Sequence, residues 1–237
     1  GTLEVLWVTG VRFESDWALD FLEKNGCKVD RDEKRVRFPQ GLVEECLHQC
    51  PSSFHVKARD PKNDLMLGGN TLYLKSSAGM ETISLDSYEP RTPTKVEYAD
   101  YVRVLDALPN FHLFGPYPYF GFEGVPPVMR IPEGVALKIK YSGKHQMTAY
   151  SQDCEIFNIE MAQAVGTEIL GGMAASPPLT WAEDTVWEAR RMIEAGFPVR
   201  TTDGDVLGAT APATYAGSVI ISNAEHISMM VLIQLLH

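Results

Sequence analysis

Residues 111–124 read FHLFGPYPYFGFEG, and this stretch decides the predicted fold. Apolar side chains alternate with His112 from Phe111 to Phe114, a pattern typical of a short strand that packs on both faces. The alternation ends at Gly115-Pro116, and the aromatic residues beyond it stand among too many Gly and Pro residues for a helix. The stretch therefore predicts a strand that ends in an aromatic loop.

From residue 93 to the end of the chain, helical patterns alternate with short apolar runs. The four strand candidates end at Gly115, Tyr150, Ser176 and Thr202. Strands separated by helices indicate right-handed βαβ crossovers and a parallel sheet, either open or closed as a (β/α)8 barrel. In both folds the site lies at the carboxyl ends of the strands, so the aromatic loop is expected at the mouth of a pocket.

Residues 1–92 predict a smaller α+β region ahead of this alternation. It contains a helix after Ser15, a charged hairpin, a short helix between Pro39 and Pro51, and a hairpin that turns at Ala78-Gly79. The first helix after residue 93 is expected to bury one apolar stripe. That stripe comprises Val96, Tyr101, Val104, Leu105 and Leu108.

Composition argues against several classes of function. The 237 residues are 45% hydrophobic and carry a net charge of −10 with no cluster of Lys or Arg, which argues against a nucleic-acid partner. The last helix is expected to begin near Thr214, and its longest apolar run, ISMMVLIQLLH, is too short to span a bilayer. Neither a membrane segment nor a signal peptide is therefore predicted.

The four cysteines form no CxxC motif, which indicates a reduced, cytoplasmic setting. Cys46 and Cys50 lie one helical turn apart, with His48 between them and His55 beyond. Because this spacing does not match a zinc motif, the thiols are interpreted as small buried side chains. No metal site is predicted.

Several blocks of the chain resemble, in order, successive blocks of the trimethylamine methyltransferase family. The blocks read VTGVRFESDWALDFLEKNGCKVD, RVRFPQGLVEECL, SFHVKARDP, LMLGGNT, TPTKVEYADYVRVLDALPN, AEDTVWEARRMIEAGFPV and GATAPATYAGSVIISNAEH. ALPN before a strand and GATAPATYAG before a long helix are the most specific of these. The resemblance extends over nearly the whole chain.

The resemblance implies an α/β fold, a TIM (β/α)8 barrel of which residues 93–237 form about the first half, after the α+β region of residues 1–92. It implies methyl transfer from an N-methylated amine to the Co(I) of a corrinoid protein, with glycine betaine as the expected substrate and trimethylamine as the alternative. The corrinoid cofactor (cobalamin) would come from the partner protein, with no cofactor bound tightly here. The location implied is cytoplasmic, without nucleic-acid or membrane partners, and a homo-oligomer is compatible with it.

The aromatic loop fits this chemistry. A quaternary ammonium cannot donate a hydrogen bond, so proteins bind it with the faces of aromatic rings, each contributing about 0.5–2 kcal/mol. The rings expected to bind substrate are those of Tyr73, Tyr117, Tyr119, Phe120 and Phe122. A carboxylate of Asp203, Asp205 or Glu123 would add long-range attraction, with Asp205 tuning the choice of substrate. Which residues are catalytic is left open.

Each of these residues also has an interpretation that needs no ligand. Tyr117 and Tyr119 would pack over a barrel mouth, and acids flanking a glycine, as in residues 203–205, are common in turns. The segment Asn223-Ala-Glu225-His226 is interpreted as an exposed helix face.

Two functions from other classes remain open. The first is a non-catalytic betaine-binding barrel, which would carry the same aromatic loop without a surface for a corrinoid protein. The second is a barrel hydrolase with paired carboxylates from Glu123, Glu168 and Glu225, although only Glu123 falls in a loop after a strand.

Overall fold

The computed structural model describes residues 1–76, 78–148 and 153–237. The α-helices are α1 (Thr2–Glu4), α2 (Asp16–Lys24), α3 (Gln40–Gln49), α4 (Lys95–Ala107), α5 (Arg130–Tyr141), α6 (Cys154–Val165), α7 (Glu183–Glu194) and α8 (Tyr215–Leu236). The strands are β1 (Val11–Phe13), β2 (Lys28–Asp30), β3 (Arg35–Arg37), β4 (Ser53–Val56), β5 (Leu65–Gly68), β6 (Thr82–Ile83), β7 (Pro90–Arg91), β8 (Leu113–Phe114), β9 (His145–Met147), β10 (Ile169–Ala174), β11 (Thr180–Trp181) and β12 (Val199–Thr202).

The contacts divide the chain into two compact units. The first comprises residues 1–51, 173–194 and 199–237, and the second comprises residues 52–172 and 195–198. These units cut across the predicted boundary between residues 92 and 93, because β1 pairs in parallel with the distant β11. The division at residue 92 stays a prediction about the sequence pattern.

The first unit contains a sheet with the strand order β11-β1-β3-β2. The predicted charged hairpin is confirmed, since β2 and β3 pair antiparallel with Val29 opposite Val36. The helix predicted after Ser15 is also confirmed, because the Ser15 hydroxyl accepts a hydrogen bond from the backbone N–H of Ala18. Helix α2 then buries Leu19 and Leu22 on one face. Local capping and periodicity are sufficient to define these elements.

Helix α8 begins after Thr214, as predicted, with the Thr214 hydroxyl accepting from the N–H of Gly217 at 3.3 Å. The helix has 22 residues and is long and apolar enough to cross a bilayer, by length and composition alone. The run of residues 227–237 forms the C-terminal half of this helix, which begins more than three turns earlier, at Tyr215. Core helices pass the same test, and α8 buries Met229, Val231 and Leu232.

The second unit contains three adjacent parallel strands, β8, β9 and residues 169–172 of β10. Leu113, Met147 and Leu170 pack together on one face of these strands. Phe114 faces the opposite side, where it belongs to a buried cluster that we call the aromatic cluster. Its residues are Tyr98, Val102, Phe111, Phe114 and Phe122. The predicted parallel α/β arrangement is confirmed, and closure into a barrel stays a prediction. The predicted strand end at Tyr150 lies outside the described residues.

The hairpin predicted to turn at Ala78-Gly79 is wrong. Strands β4 and β5 pair with each other instead, as do β6 and β7. Residues 74–76 run beside β8, where Lys75 forms a parallel bridge with Leu113. The partner of residues 74–76 is therefore β8, which lies more than 35 residues further along the chain, and a local alternation pattern contains no information about it.

The predicted stripe of α4 is confirmed only in part, since Tyr101 and Leu105 pack against the aromatic cluster. The capping box between Thr94 and Glu97 fixes the start of the helix, but its buried residues are Tyr98, Ala99 and Val102. Val96, Val104 and Leu108 of the predicted stripe are exposed. The large ring of Tyr98 fills the aromatic cluster, and this contact determines which face of the helix turns inward.

Candidate functional site

The aromatic loop after β8 belongs to the second unit, and its backbone is held by hydrogen bonds to residues before α4. The N–H of Tyr119 donates to the carbonyl of Gly79 at 3.0 Å, and that of Phe120 donates to Met80 at 3.1 Å. The N–H of Glu123 donates to the carbonyl of Pro93 at 3.0 Å. The loop is therefore a fixed part of this unit.

Two of the predicted substrate-binding rings lie in the aromatic cluster. The ring centroid of Phe122 lies 5.1 Å from that of Tyr98, and that of Tyr117 lies 5.9 Å from the same ring. Tyr117 also lies 5.3 Å from Tyr101. Phe122 is only 3% exposed, whereas Tyr117 is half-buried. Both rings therefore contribute to packing, as the interpretation without a ligand expects.

The next two rings of the loop lie elsewhere. Tyr119 packs against Ile131 of α5 and Cys154 of α6, outside the cluster that holds Phe122. The Phe120 side chain is 58% exposed. The structure therefore places the four rings of the loop in three different environments. A role for them in binding substrate stays a prediction.

Tyr73 lies beside the amino end of β8. Its ring packs edge-on to His112 at 5.2 Å, and its hydroxyl accepts a hydrogen bond from the N–H of Met66 at 3.1 Å. The aromatic loop follows the carboxyl end of the same strand, so Tyr73 and the loop occupy opposite ends of β8. Substrate binding by Tyr73 also stays a prediction.

A small cavity lies between the aromatic loop and α5. Pro116, Tyr117, Ile131, Lys138 and Thr148 contribute to its lining. The Lys138 ammonium is buried here and donates to the carbonyl of Met147 at 3.0 Å. Burial lowers the pKa of Lys138 from 10.5 to about 7, because removal from water disfavours the charged form.

The predicted acids Asp203 and Asp205 lie in the first unit, directly after β12. There they meet Glu225 of α8, and a carboxylate oxygen from each residue lies within 4.8 Å of the other two. We call these three residues the carboxylate cluster. The structure thus brings Asp203 and Asp205 together, as their spacing in sequence implies, and adds Glu225, which from the sequence was considered only as a hydrolase carboxylate.

Asp203 has partners on two sides. One of its oxygens accepts a hydrogen bond from the Ser222 hydroxyl, and the same oxygen lies 3.5 Å from Nε2 of His226. Nδ1 of His226 lies 2.9 Å from the hydroxyl of Thr201. Asp205 differs, because both of its oxygens are shielded from solvent and have no hydrogen-bond partner in the described part of the chain.

Glu225 is fully buried, so its predicted place on an exposed helix face is wrong. Its Oε1 accepts a hydrogen bond from the N–H of Leu179 at 2.6 Å, while Oε2 has no partner among the residues that the structure describes. The pKa of Glu225 is raised from 4.5 to about 7, mainly by burial. The nearby Asp205 and Asp203 contribute to this rise, and the hydrogen bond from Leu179 opposes it. Burial is also the main cause of the raised pKa of Asp205.

Sequence reasoning did not connect Ser222, Glu225 and His226 with Asp203 and Asp205. A signal was present, because Ser222, Glu225 and Ser228 recur every third residue in a mostly apolar helix. Polar residues at this spacing lie along one side of a helix, which points to a polar cluster.

The carboxylates proposed for a hydrolase are divided between the two units. Glu123 is exposed, and Glu168 accepts a hydrogen bond from the N–H of Lys57 at 2.9 Å; both belong to the second unit. Glu225 belongs to the first unit, where its acidic neighbours are Asp203 and Asp205. A hydrolase that pairs Glu123, Glu168 and Glu225 stays a prediction.

The chain is similar to solved and named proteins over nearly all of its length. A structure of the monomethylamine methyltransferase MtmB of Methanosarcina barkeri matches 96% of the chain and 60% of its own chain, with a TM-score of 0.61 and 10% identity. This match supports the α/β fold.

The named relatives are more similar in sequence. A trimethylamine methyltransferase MttB of Desulfitobacterium hafniense is 28% identical over 249 residues, covering 99% of this chain and 49% of the relative. A glycine betaine methyltransferase of the same species is 28% identical over 241 residues, covering 94% of this chain and 48% of the relative. The chain thus spans about half the length of these relatives.

The trimethylamine methyltransferase (MTTB) family model matches residues 1–237. The resemblance inferred from the blocks of sequence is thereby confirmed over the whole chain. This chain belongs to the trimethylamine methyltransferase family.

Proposed function

We propose that the protein transfers a methyl group from glycine betaine to the Co(I) centre of a corrinoid protein in the cytoplasm. The observation that carries the proposal is the family match over residues 1–237, together with a relative named as a glycine betaine methyltransferase. The corrinoid protein is a substrate in this reaction, as the methyl acceptor.

The aromatic loop supports a quaternary amine as the methyl donor. Tyr119 and Phe120 follow a parallel strand of the second unit, and their side chains lie outside the aromatic cluster. In α/β folds, the loops at the carboxyl ends of parallel strands form the site. Aromatic faces at such a position bind a cation that cannot donate hydrogen bonds.

The reaction itself requires little acid–base chemistry with a quaternary donor. The electron pair of Co(I) forms the new bond to the methyl carbon, and the electron pair of the C–N bond stays on nitrogen. The amine therefore leaves neutral, as dimethylglycine when glycine betaine is the donor. The work of the protein is to hold the methyl group in line with cobalt and to exclude water.

Trimethylamine is the second candidate donor, because a relative with the same identity is named as a trimethylamine methyltransferase. A tertiary amine is a poor leaving group unless nitrogen is protonated or otherwise activated. A glycine betaine enzyme does not need this step, so the two candidates differ in the chemistry that the site must supply.

The test uses protein produced from its complete gene, with chemically reduced cob(I)alamin as the methyl acceptor. Glycine betaine and trimethylamine are added in separate reactions, and the absorbance change to methylcobalamin is followed. We expect conversion with glycine betaine. Conversion with trimethylamine alone would contradict the choice of donor, and conversion with neither would contradict the proposed activity.

A pair of variants tests the aromatic loop. Phe120→Ala removes an exposed ring of the loop, and Phe157→Ala removes a comparably exposed ring of α6. We expect Phe120→Ala to raise the KM for glycine betaine several-fold, as expected for loss of about 1 kcal/mol of cation–π attraction. Phe157→Ala should leave the KM unchanged. Equal effects of the two variants would count against the loop as the binding site.

A further inference from the structure

We propose that the carboxylate cluster of Asp203, Asp205 and Glu225 binds one divalent metal ion of the size and hardness of Ca²⁺. All three residues belong to the first unit, and the inference does not depend on the proposed methyl transfer. It gives Asp203 and Asp205 a role in place of direct contact with a substrate.

The spacing of the oxygens fits a small cation. One carboxylate oxygen from each residue lies within 4.8 Å of the other two. Ca²⁺ binds oxygen ligands at about 2.3–2.6 Å, so two ligands on opposite sides of the ion lie about 5 Å apart and neighbouring ligands lie closer. An ion at the centre of the cluster would therefore contact all three carboxylates without a large movement of the backbone.

The burial of Glu225 provides the second observation. Its side chain is 0% exposed, and Oε2 has no partner in the described ranges of the chain. Both oxygens of Asp205 are likewise shielded from solvent and without a partner there. Buried carboxylate oxygens without partners are costly, and a bound cation compensates for this cost. Two of the three residues in the carboxylate cluster thus carry buried oxygens that lack a hydrogen-bond partner among the described residues.

The chemistry of the donors favours a hard metal over other cations. Carboxylate oxygens are the ligands preferred by Ca²⁺ and Mg²⁺, and the cluster contains no thiolate that would favour zinc. A trimethylammonium group surrounds its nitrogen with methyl groups, so carboxylates on opposite sides of it would stand farther apart than 4.8 Å. The spacing therefore favours an inorganic ion over the methylated amine.

Calcium binding is tested by thermal unfolding of metal-free protein with CaCl₂, MgCl₂ or glycine betaine added in separate samples. We expect CaCl₂ to raise the Tm of the wild type, because a ligand that binds only the folded state stabilises it. The variants Asp205→Asn and Glu225→Gln keep the shape of each side chain and remove its charge, so the rise should be lost. Asp32→Asn, at an exposed acid in the turn between β2 and β3, should retain it.

Terbium luminescence provides a direct measurement on the wild type. Trp181 is placed to sensitise a lanthanide in the cluster, since its Nε1 donates to the Ser228 hydroxyl, which donates to the backbone carbonyl of Glu225. We expect Tb³⁺ emission on excitation of tryptophan, displaced by CaCl₂ and weakened at least tenfold in Tb³⁺ affinity in Asp205→Asn.

Absence of both the Tm rise and the displaceable emission in the wild type would overturn the metal site. So would a Tm rise or emission that persists unchanged in Asp205→Asn. A rise with glycine betaine alone, lost in Asp205→Asn, would also overturn it and return Asp205 to the substrate site. None of these measurements involves the corrinoid acceptor, so they are separate from the test of methyl transfer.

Discussion

Replacing Lys138 with methionine is expected to stabilise the protein. Lys138 is 3% exposed in α5, and its ammonium donates to the carbonyl of Met147 at 3.0 Å. Burial lowers its pKa from 10.5 to about 7, so the fold disfavours the charged form. Methionine has a similar length and carries no charge, so it should fill the same space without the cost of burying an ion.

The pKa shift sets the size of the effect. Each pKa unit corresponds to about 1.4 kcal/mol, so the shift from 10.5 to about 7 corresponds to at most about 5 kcal/mol. Methionine cannot donate the hydrogen bond that Lys138 donates to the carbonyl of Met147, and this loss reduces the gain in stability by about 1–2 kcal/mol. We therefore expect Lys138→Met to increase the free energy of unfolding by about 3 kcal/mol near pH 6.

The effect must depend on pH in a definite direction. Between pH 7 and 10.5 the unfolded state binds more protons at Lys138 than the folded state, so the stability of the wild type rises with pH in this window. The advantage of Lys138→Met should therefore be largest below pH 7 and shrink as the pH rises. The assay is urea unfolding, followed by tryptophan fluorescence, at about pH 6, 8 and 9.5.

Lys140→Met is the matched control, because Lys140 is an exposed residue of the same helix. Its free energy of unfolding should change by less than about 0.5 kcal/mol at each pH. A Lys138→Met protein that is less stable than the wild type at every pH would refute the reasoning. An advantage that does not shrink with pH would refute it too, since the charge would then not be its source.

Three further predictions concern stability and use the same urea assay. Burial lowers the pKa of His145 from 6.5 to about 4, so the free energy of unfolding of the wild type should fall as the pH falls through this window. The variant His145→Gln should lose less stability over the same range, and parallel pH profiles of the two proteins would contradict this. Phe122→Ala should lower the free energy of unfolding by about 3–5 kcal/mol, because it removes a buried ring, and Phe120→Ala should lower it by less than about 0.5 kcal/mol. Similar losses of stability in the two variants would refute the assigned burial. Thr94→Ala should lower the free energy of unfolding by about 1 kcal/mol, because it removes the capping box with Glu97. An unchanged midpoint of urea unfolding would show that the cap is dispensable.

The sequence predicts well those elements whose cause is local. Ser15, Thr94 and Thr214 each cap the start of a predicted helix, because a cap is a hydrogen bond within a few residues of the chain. The hairpin of β2 and β3 is equally local. The succession of parallel strands from β8 onward follows from the alternation of helical and apolar segments.

Prediction from sequence is wrong where a distant partner decides the outcome. Residues 71–76 have the composition of a hairpin strand, but Lys75 bridges to Leu113 instead. The buried face of α4 is set by Tyr98, which packs in the aromatic cluster with Phe114 and Phe122. In both cases the energy comes from contacts between residues that are far apart along the chain, and a local pattern contains no information about them.

The amino-acid sequence alone determined the family, the parallel α/β pattern and the position of the aromatic loop after a strand. Only the tertiary structure decided which rings of that loop are buried, since Phe122 and Phe120 are identical side chains two positions apart. It also decided the burial of Glu225 beside Asp203 and Asp205. A strand end and the middle of a helix lie apart in sequence, so their carboxylates meet only once the chain has folded.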